Sequence, residues 1–352
     1  MIARHLGNMM DEAVGEGVFP AGALLCARGN EIFFQTAAGE ATLDSVFDLA
    51  SLTKPLATTL AVARLVAAGE LDVNTGVGKW LSAFKGEGRD AVTVDMLLRH
   101  TSGLPAHRPY FEQIQGKAKP RTVLRELLVQ EPLEQVPGKV QLYSDLGFML
   151  LSWLVEEITG KRLDHWVHDE IYQPLGIEEL FFIELTSGSR ALVPVDAGRL
   201  VPTQDCAWRG RHLVGEVEDE NAWAAGGIEG HAGLFGTLGA VHRLCSAILS
   251  AVESESGEIL PGRLLAKWVK AEKNQTMAAG FDRPVGQKSS AGKFFSQSGF
   301  GHLGFTGTSF WMDLVNQKII ILLTNRVNPS RENIRIREFR PKIHDAAHGF
   351  FS

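Results

Sequence analysis

Hydrophobic residues near the start of the chain concentrate in two β-rich runs, Gly22 to Ala27 and Glu31 to Thr36, and the turn residues Arg28-Gly29-Asn30 between them predict a hairpin. The segment before it, Met1 to Val14, reads as an amphipathic helix. A third short strand, Val46 to Leu49, leads into Ser51. From Leu52 to Ala68 the apolar residues Leu56, Leu60, Ala63 and Ala67 recur at helical spacing, and Gly69 closes the run as a C-cap does. The pattern is a strand delivering a serine to a helix start.

Between about Asp72 and Leu180, helix-like periods (Val94 to His100, Val123 to Val129, Leu146 to Ile158, Leu163 to Ile171) alternate with Gly and Pro. Strand patterns return at Thr308 to Asp313 and Lys318 to Thr324, and Ile336 to Phe350 reads as a final helix. Strands at both ends of a chain with a helical middle predict an α/β (α+β) fold, in which one mixed or antiparallel sheet built from both termini is flanked by helices. The expected lobes are residues 1–71 with 225–352 for the sheet and 72–224 for a mostly helical insertion. Glu272 to Gln297, rich in Lys, Gly, Ser and Gln, is the best candidate for a mobile loop.

Composition narrows the function classes. The chain has 352 residues, 45% hydrophobic and 22% charged, an ordinary balance for a folded protein with a large core. Its net charge of -6, from 35 Lys+Arg against 41 Asp+Glu, and the absence of a basic run argue against nucleic acid as a partner. Three cysteines, Cys26, Cys206 and Cys245, show no paired spacing, which fits a reducing compartment, and Cys26 and Cys245 sit in core-like apolar runs. Met1 to Val14 lacks the apolar centre of a signal peptide, and the longest apolar stretches, Leu146 to Val155 and Ile319 to Leu323, fall far short of the roughly 18 residues of a membrane span. The expected location is cytoplasmic as read from this chain, and periplasmic or secreted where a leader has been removed.

Three clusters carry candidate chemistry. In Ser51-Leu52-Thr53-Lys54, residues three apart meet on one helix face, so the Ser51 hydroxyl and the Lys54 amine become neighbours. Lys54 can take the serine proton only when neutral, and moving its pKa from about 10.4 to about 7 requires roughly 4.6 kcal/mol of desolvation or nearby positive charge. A helix start also offers the Ser51 backbone N–H to a developing oxyanion. In Tyr143-Ser144-Asp145, the phenol can relay a proton if cations lower its pKa from about 10. In Gly301-His302-Leu303-Gly304-Phe305-Thr306-Gly307-Thr308, glycines let a substrate approach an edge strand whose N–H groups complete an oxyanion hole.

The order of these clusters resembles the serine β-lactamase and penicillin-binding-protein superfamily, in its class C β-lactamase, DD-peptidase and esterase branch, which carries S-x-x-K, then Y-x-N, then K-T-G or H-x-G. Asp48-Leu-Ala-Ser-Leu-Thr-Lys-Pro55, His100-Thr-Ser-Gly-Leu-Pro105, Pro137-Gly and Gly226-Gly-Ile-Glu-Gly-His-Ala-Gly-Leu-Phe235 are also family-like, so the resemblance spans nearly the whole chain. It implies that Ser51 is the acylated nucleophile, Lys54 its activator and Tyr143 the relay to the leaving group. The backbone N–H groups of Ser51 and Phe305 form the implied oxyanion hole, and Asp145, His302 and Gly304 face substrate. No cofactor and no metal are implied.

Two positions depart from the pattern. Asp145 replaces the usual Asn and, when ionised, favours the charged form of Lys54. His302-Leu303-Gly304 replaces Lys-Thr-Gly, and an unperturbed His, pKa about 6.5, is only about a quarter protonated at pH 7, a weak anchor for a substrate carboxylate. The expected function is a serine acyl-transfer hydrolase working through an acyl-enzyme on a small ester or peptide/amide, with D-amino-acid peptides and peptidoglycan fragments among the candidates. A noncatalytic peptide-binding relative and a true β-lactamase are the alternatives, and oligomeric state is left open. Arg326 is a second candidate for a substrate carboxylate, His231 faces either the cleft or a packed loop, and His165 with His168 lacks a metal-site pattern.

Overall fold

The computed structural model describes residues 1–185, 194–270, 276–285 and 289–351. The expected hairpin is present as β1 (Ala21–Arg28) and β2 (Glu31–Gly39), with Arg28 paired to Glu31 across the turn. Four further strands follow in order: β3 (Val46–Asp48), β4 (Leu180–Phe182), and the two-residue partners of a short ribbon, β5 (Asp205–Cys206) and β6 (Arg211–His212). β7 (Leu234–Thr237), β8 (Phe300–Leu303), β9 (Ser309–Asp313) and β10 (Lys318–Thr324) complete the set among the described residues.

Five strands form an antiparallel sheet in the order β2-β1-β10-β9-β8, so both ends of the chain build it, as the pattern predicts. β1 and β10 lie at its centre with Leu24 opposite Leu322. Side chains on a strand alternate between faces, and here both faces are covered. Leu24, Cys26, Ile320 and Leu322 pack under the terminal helices Ile2–Gly15 and Ile336–Ala347 through Leu6, Met10, Phe339 and Ile343. Leu25, Ile319, Ile321 and Leu323 turn the other way, into the main core with Val241, Leu244 and Ile248 of helix Leu238–Ser254. Fully burying two such strands explains why their sequences read as unbroken apolar runs.

The predicted strand before Ser51 joins a different sheet, β3-β7-β4, rather than the terminal one. Helices Val94–Leu98, Pro120–Gln130, Asp145–Thr159 and Leu163–Val167 occupy the middle of the chain where the periodicity placed them. The helix expected from Leu52 starts late. Ala50–Leu52 is a 3₁₀ turn, Lys54–Thr58 a π turn, and the α-helix runs over Thr59–Ala67. Pro55 has no N–H for the Ser51 carbonyl, so the regular ladder begins only beyond it. Of the stretch expected to be mobile, residues 272–275 and 286–288 lie outside the described residues. Within the rest, Asp282 bridges Met277 and Gly301 of the β8 edge. Among the described residues, no helix is long and apolar enough to cross a membrane.

Candidate active site

Ser51 sits on a turn held from behind. Ala50, the residue before it, takes a left-handed φ of 49°, which costs a side-chain-bearing residue free energy unless its surroundings enforce it. The enforcing group is Asp48, whose Oδ1 accepts the Ala50 N–H at 2.8 Å while Oδ2 accepts the Glu218 N–H at 2.7 Å. Burial, opposed by these two donors, pushes the Asp48 carboxyl up to about 6.

A second tie runs to the third motif. The Thr306 hydroxyl donates to the Asp48 carbonyl at 2.8 Å and the Thr308 hydroxyl to the Leu49 carbonyl at 3.2 Å, so the turn bearing Phe305 is fastened to the turn bearing Ser51. Gly304 permits the approach, since a Cβ there would fall 2.0 Å from Thr308 Oγ and 2.8 Å from the Leu49 carbonyl oxygen. Neither the Ser51 N–H nor the Phe305 N–H has a partner among the described residues. Both residues line a cleft of about 350 Å³ with Tyr143, His302, Gly304 and Arg337.

Lys54 is fully buried; its ammonium donates to Ser51 Oγ at 3.0 Å and to the His231 carbonyl at 3.0 Å, and it pairs with Asp145 Oδ1 at 2.8 Å. Burial alone lowers its pKa, but the Asp145 carboxylate and the Tyr143 phenol outweigh that and hold it above the ordinary lysine value. The expectation of a lysine tuned toward neutrality is therefore corrected, because the neighbouring charge is negative. Burial likewise favours the neutral form of Asp145, yet Lys54, then the nearby His107 imidazole, keeps its carboxyl well below the usual range.

Tyr143 stands over the pair, with its ring centroid 4.9 Å from Lys54 Nζ and its hydroxyl interacting with both Ser51 and Lys54. Burial exceeds the pull of Lys54, and the phenol is pushed up to about 12 rather than lowered. His100 stacks on its ring at 4.7 Å and accepts the Ser144 N–H on Nδ1 at 3.0 Å; burial drives this imidazole down to about 3, a neutral wedge.

His302 lies in the site but in another role than expected. It is 2% exposed, its Nδ1–H donates to the Leu303 carbonyl at 2.8 Å, and burial lowers its pKa below the free value, so it is a neutral group with Nε2 as acceptor rather than a charge anchor. Arg326 is also committed elsewhere, donating to the carbonyls of Phe305, Arg331 and Asn333 at 2.7–2.8 Å with its guanidinium over the Phe305 ring. His231 contributes its carbonyl to Lys54, while its ring pairs with Asp219 Oδ1 at 2.8 Å. Sequence reasoning passed over Asp48, Thr306 and Thr308 as individual side chains, and His107 entirely. Only the motif position of the first three offered a signal.

A half-buried serine bonded to a buried lysine, with a phenol above and free N–H groups on two adjoining turns, defines a serine hydrolase of the acyl-transfer class. The chain belongs to the Beta-lactamase family, whose profile matches residues 6–342. A Salmonella typhi protein named "Putative D-alanyl-D-alanine carboxypeptidase" is 30% identical, with the alignment covering 90% of this chain and 81% of that protein. Among solved structures, EstCE1, described as a hydrolase with promiscuous acyltransferase activity, has a TM-score of 0.74 at 20% identity over 99% of this chain and 98% of that one. The octameric penicillin-binding protein homologue from Pyrococcus abyssi has a TM-score of 0.71 at 17% identity over 99% and 77%. These two share the fold.

Proposed function

We propose that this chain hydrolyses a small ester or a short peptide amide through an acyl-enzyme on Ser51, with D-amino-acid peptides and peptidoglycan fragments the candidates on the amide side. The observation that carries this reading is the 3.0 Å contact between Lys54 Nζ and Ser51 Oγ beneath Tyr143, at a cleft with two unpartnered N–H groups. In this mechanism Ser51 Oγ attacks the carbonyl carbon as its proton passes to Lys54 in the amine form. The Ser51 and Phe305 N–H groups take the oxyanion. Tyr143 gives its proton to the leaving group and is refilled from Lys54, so one proton leaves Ser51 and one arrives on the leaving group. Water then repeats the sequence to release the acid.

Two observations favour esters and peptides over β-lactams. His302 supplies no fixed charge to the third motif, and the 30% identical relative bears a carboxypeptidase name. Intact-mass measurement after exposure to a fluorophosphonate, an aryl ester, a D-alanyl peptide and a cephalosporin tests the reading. One adduct is expected from the fluorophosphonate, mapped to Ser51 and absent from Ser51→Ala. Labelling at another residue, or cephalosporin turnover orders of magnitude above that of the ester, overturns it.

A further inference from the structure

The proposed mechanism requires Lys54 as a neutral amine, whereas the resting site holds it as an ammonium against Asp145. The second oxygen of that carboxylate faces another basic group. Asp145 Oδ1 lies 2.8 Å from Lys54 Nζ, and Oδ2 lies 3.6 Å from Nδ1 of His107. Two bonds place the imidazole there: the Asp145 N–H donates to the Ala106 carbonyl at 2.9 Å, and the Ser144 hydroxyl to the Pro105 carbonyl at 2.6 Å. The loop bearing His107 is thereby stitched to the start of the helix bearing Asp145. The two ends of the array differ in access, since the Lys54 side chain is 0% exposed and that of His107 45%.

We propose that His107 is a positioning residue acting through Asp145: as Lys54 Nζ loses a proton, the His107 imidazole gains one, and the carboxylate stays anionic between them. The inference rests on the acyl-transfer reading of Ser51. Proton count and charge of the three groups are the same before and after, so the amine form of Lys54 is reached without net loss of a proton from the array. A carboxylate flanked by one cation is retained in either state, which is cheaper in a buried setting than a lone Asp145 anion beside a neutral lysine.

The surroundings bear on both ends. His107 is faced by Asp145, Asp219 and Glu220, and the adjacent Arg108 is occupied by Glu131 and Glu134. Its pKa lies above the free value, chiefly through the Asp145 carboxylate 3.6 Å away, with burial opposing. Asp145 is faced by Lys54, His107 and His231, with Tyr143 and the neutral rings of His100 and His302 nearby.

Coupled titration gives the arrangement a signature. Above the His107 pKa the state with neutral Lys54 and charged His107 holds as many protons as the resting state, so its population stops changing with pH. Single-turnover acylation of the full chain by a neutral aryl ester should rise with pH, level for about one unit, then rise again. In His107→Gln the level stretch should vanish and the rate near pH 7.5 fall about tenfold with KM unchanged. In Asp145→Asn, adding His107→Gln should change the rate by less than about twofold, because the route between the residues is gone. The His107 ring, followed by NMR, should titrate lower in Asp145→Asn than in the unaltered protein.

A His107→Gln profile that keeps the level stretch, or an equal loss in the Asp145→Asn background, overturns the inference while Ser51 labelling leaves the function standing. Absence of Ser51 labelling in every variant overturns the function and this inference with it.

Discussion

Two carboxylates near Ser51, Asp48 buried and Asp145 partly buried, behave oppositely. Asp145, in front, faces the Lys54 ammonium at 2.8 Å and is held well below the usual carboxylate range. Asp48, behind, faces two backbone N–H groups and is pushed up to about 6. Desolvation is the largest influence on both and acts in the same direction. At Asp145 the Lys54 charge together with the contacts to His107 and His231 outweighs it, and at Asp48 two amide dipoles do not. The front carboxylate therefore sets the charge of Lys54, and the rear one fixes the backbone turn that carries Ser51.

The largest effect should come from removing what lies between them. Lys54→Ala and Tyr143→Phe are each expected to slow acylation by at least about a hundredfold, read by stopped-flow with an aryl ester. Near-normal rates in both would remove the relay and leave Asp145 with no catalytic partner.

Asp48→Asn separates aim from charge. It keeps one acceptor but turns an amide NH₂ toward a backbone donor, so it should cost about 1–3 kcal/mol in denaturant unfolding and slow acylation without moving its pH dependence. The sign of its pH effect is fixed by a folded pKa above the unfolded one. The stabilising contribution of Asp48 is complete below about pH 3.9 and is lost as pH rises through about 6. The stability gap between the unaltered protein and Asp48→Asn should therefore shrink across that window.

Asp145→Asn should show the reverse. A depressed carboxyl contributes stability that is present above about pH 3.9 and lost as pH falls below it, so the gap to this variant should close in acid. If both variants shift stability in the same direction, the contrast between the two carboxylates is wrong.

The smallest effect concerns His302. Buried and neutral, it should leave the affinity for a carboxylate-bearing ester nearly constant between about pH 6.5 and 8, measured by competition in Ser51→Ala. A fall across that range would restore His302 as a charge anchor.

The Ser51–Lys54 contact was legible because three residues span one helical turn, and it persists although the backbone passes from a 3₁₀ turn into a π turn rather than through a regular helix. The terminal sheet was legible because β1 and β10 carry apolar residues at every position that a doubly covered strand must fill. The separate β3-β7-β4 sheet was hidden, since a three-residue strand such as Val46–Asp48 carries too little pattern to name its partner.

Sequence by itself determined which groups could react, because hydroxyl, amine and phenol chemistry belongs to residue type and short-range spacing brings Ser51 to Lys54. Their charge states were decided only in three dimensions. Asp145 is 91 positions from Lys54, His107 lies on another loop, and Thr306 reaches Asp48 across 258 residues. A pKa depends on distance, burial and hydrogen-bond direction, and contacts of that sequence separation exist only after the sheet has drawn both chain ends to one cleft.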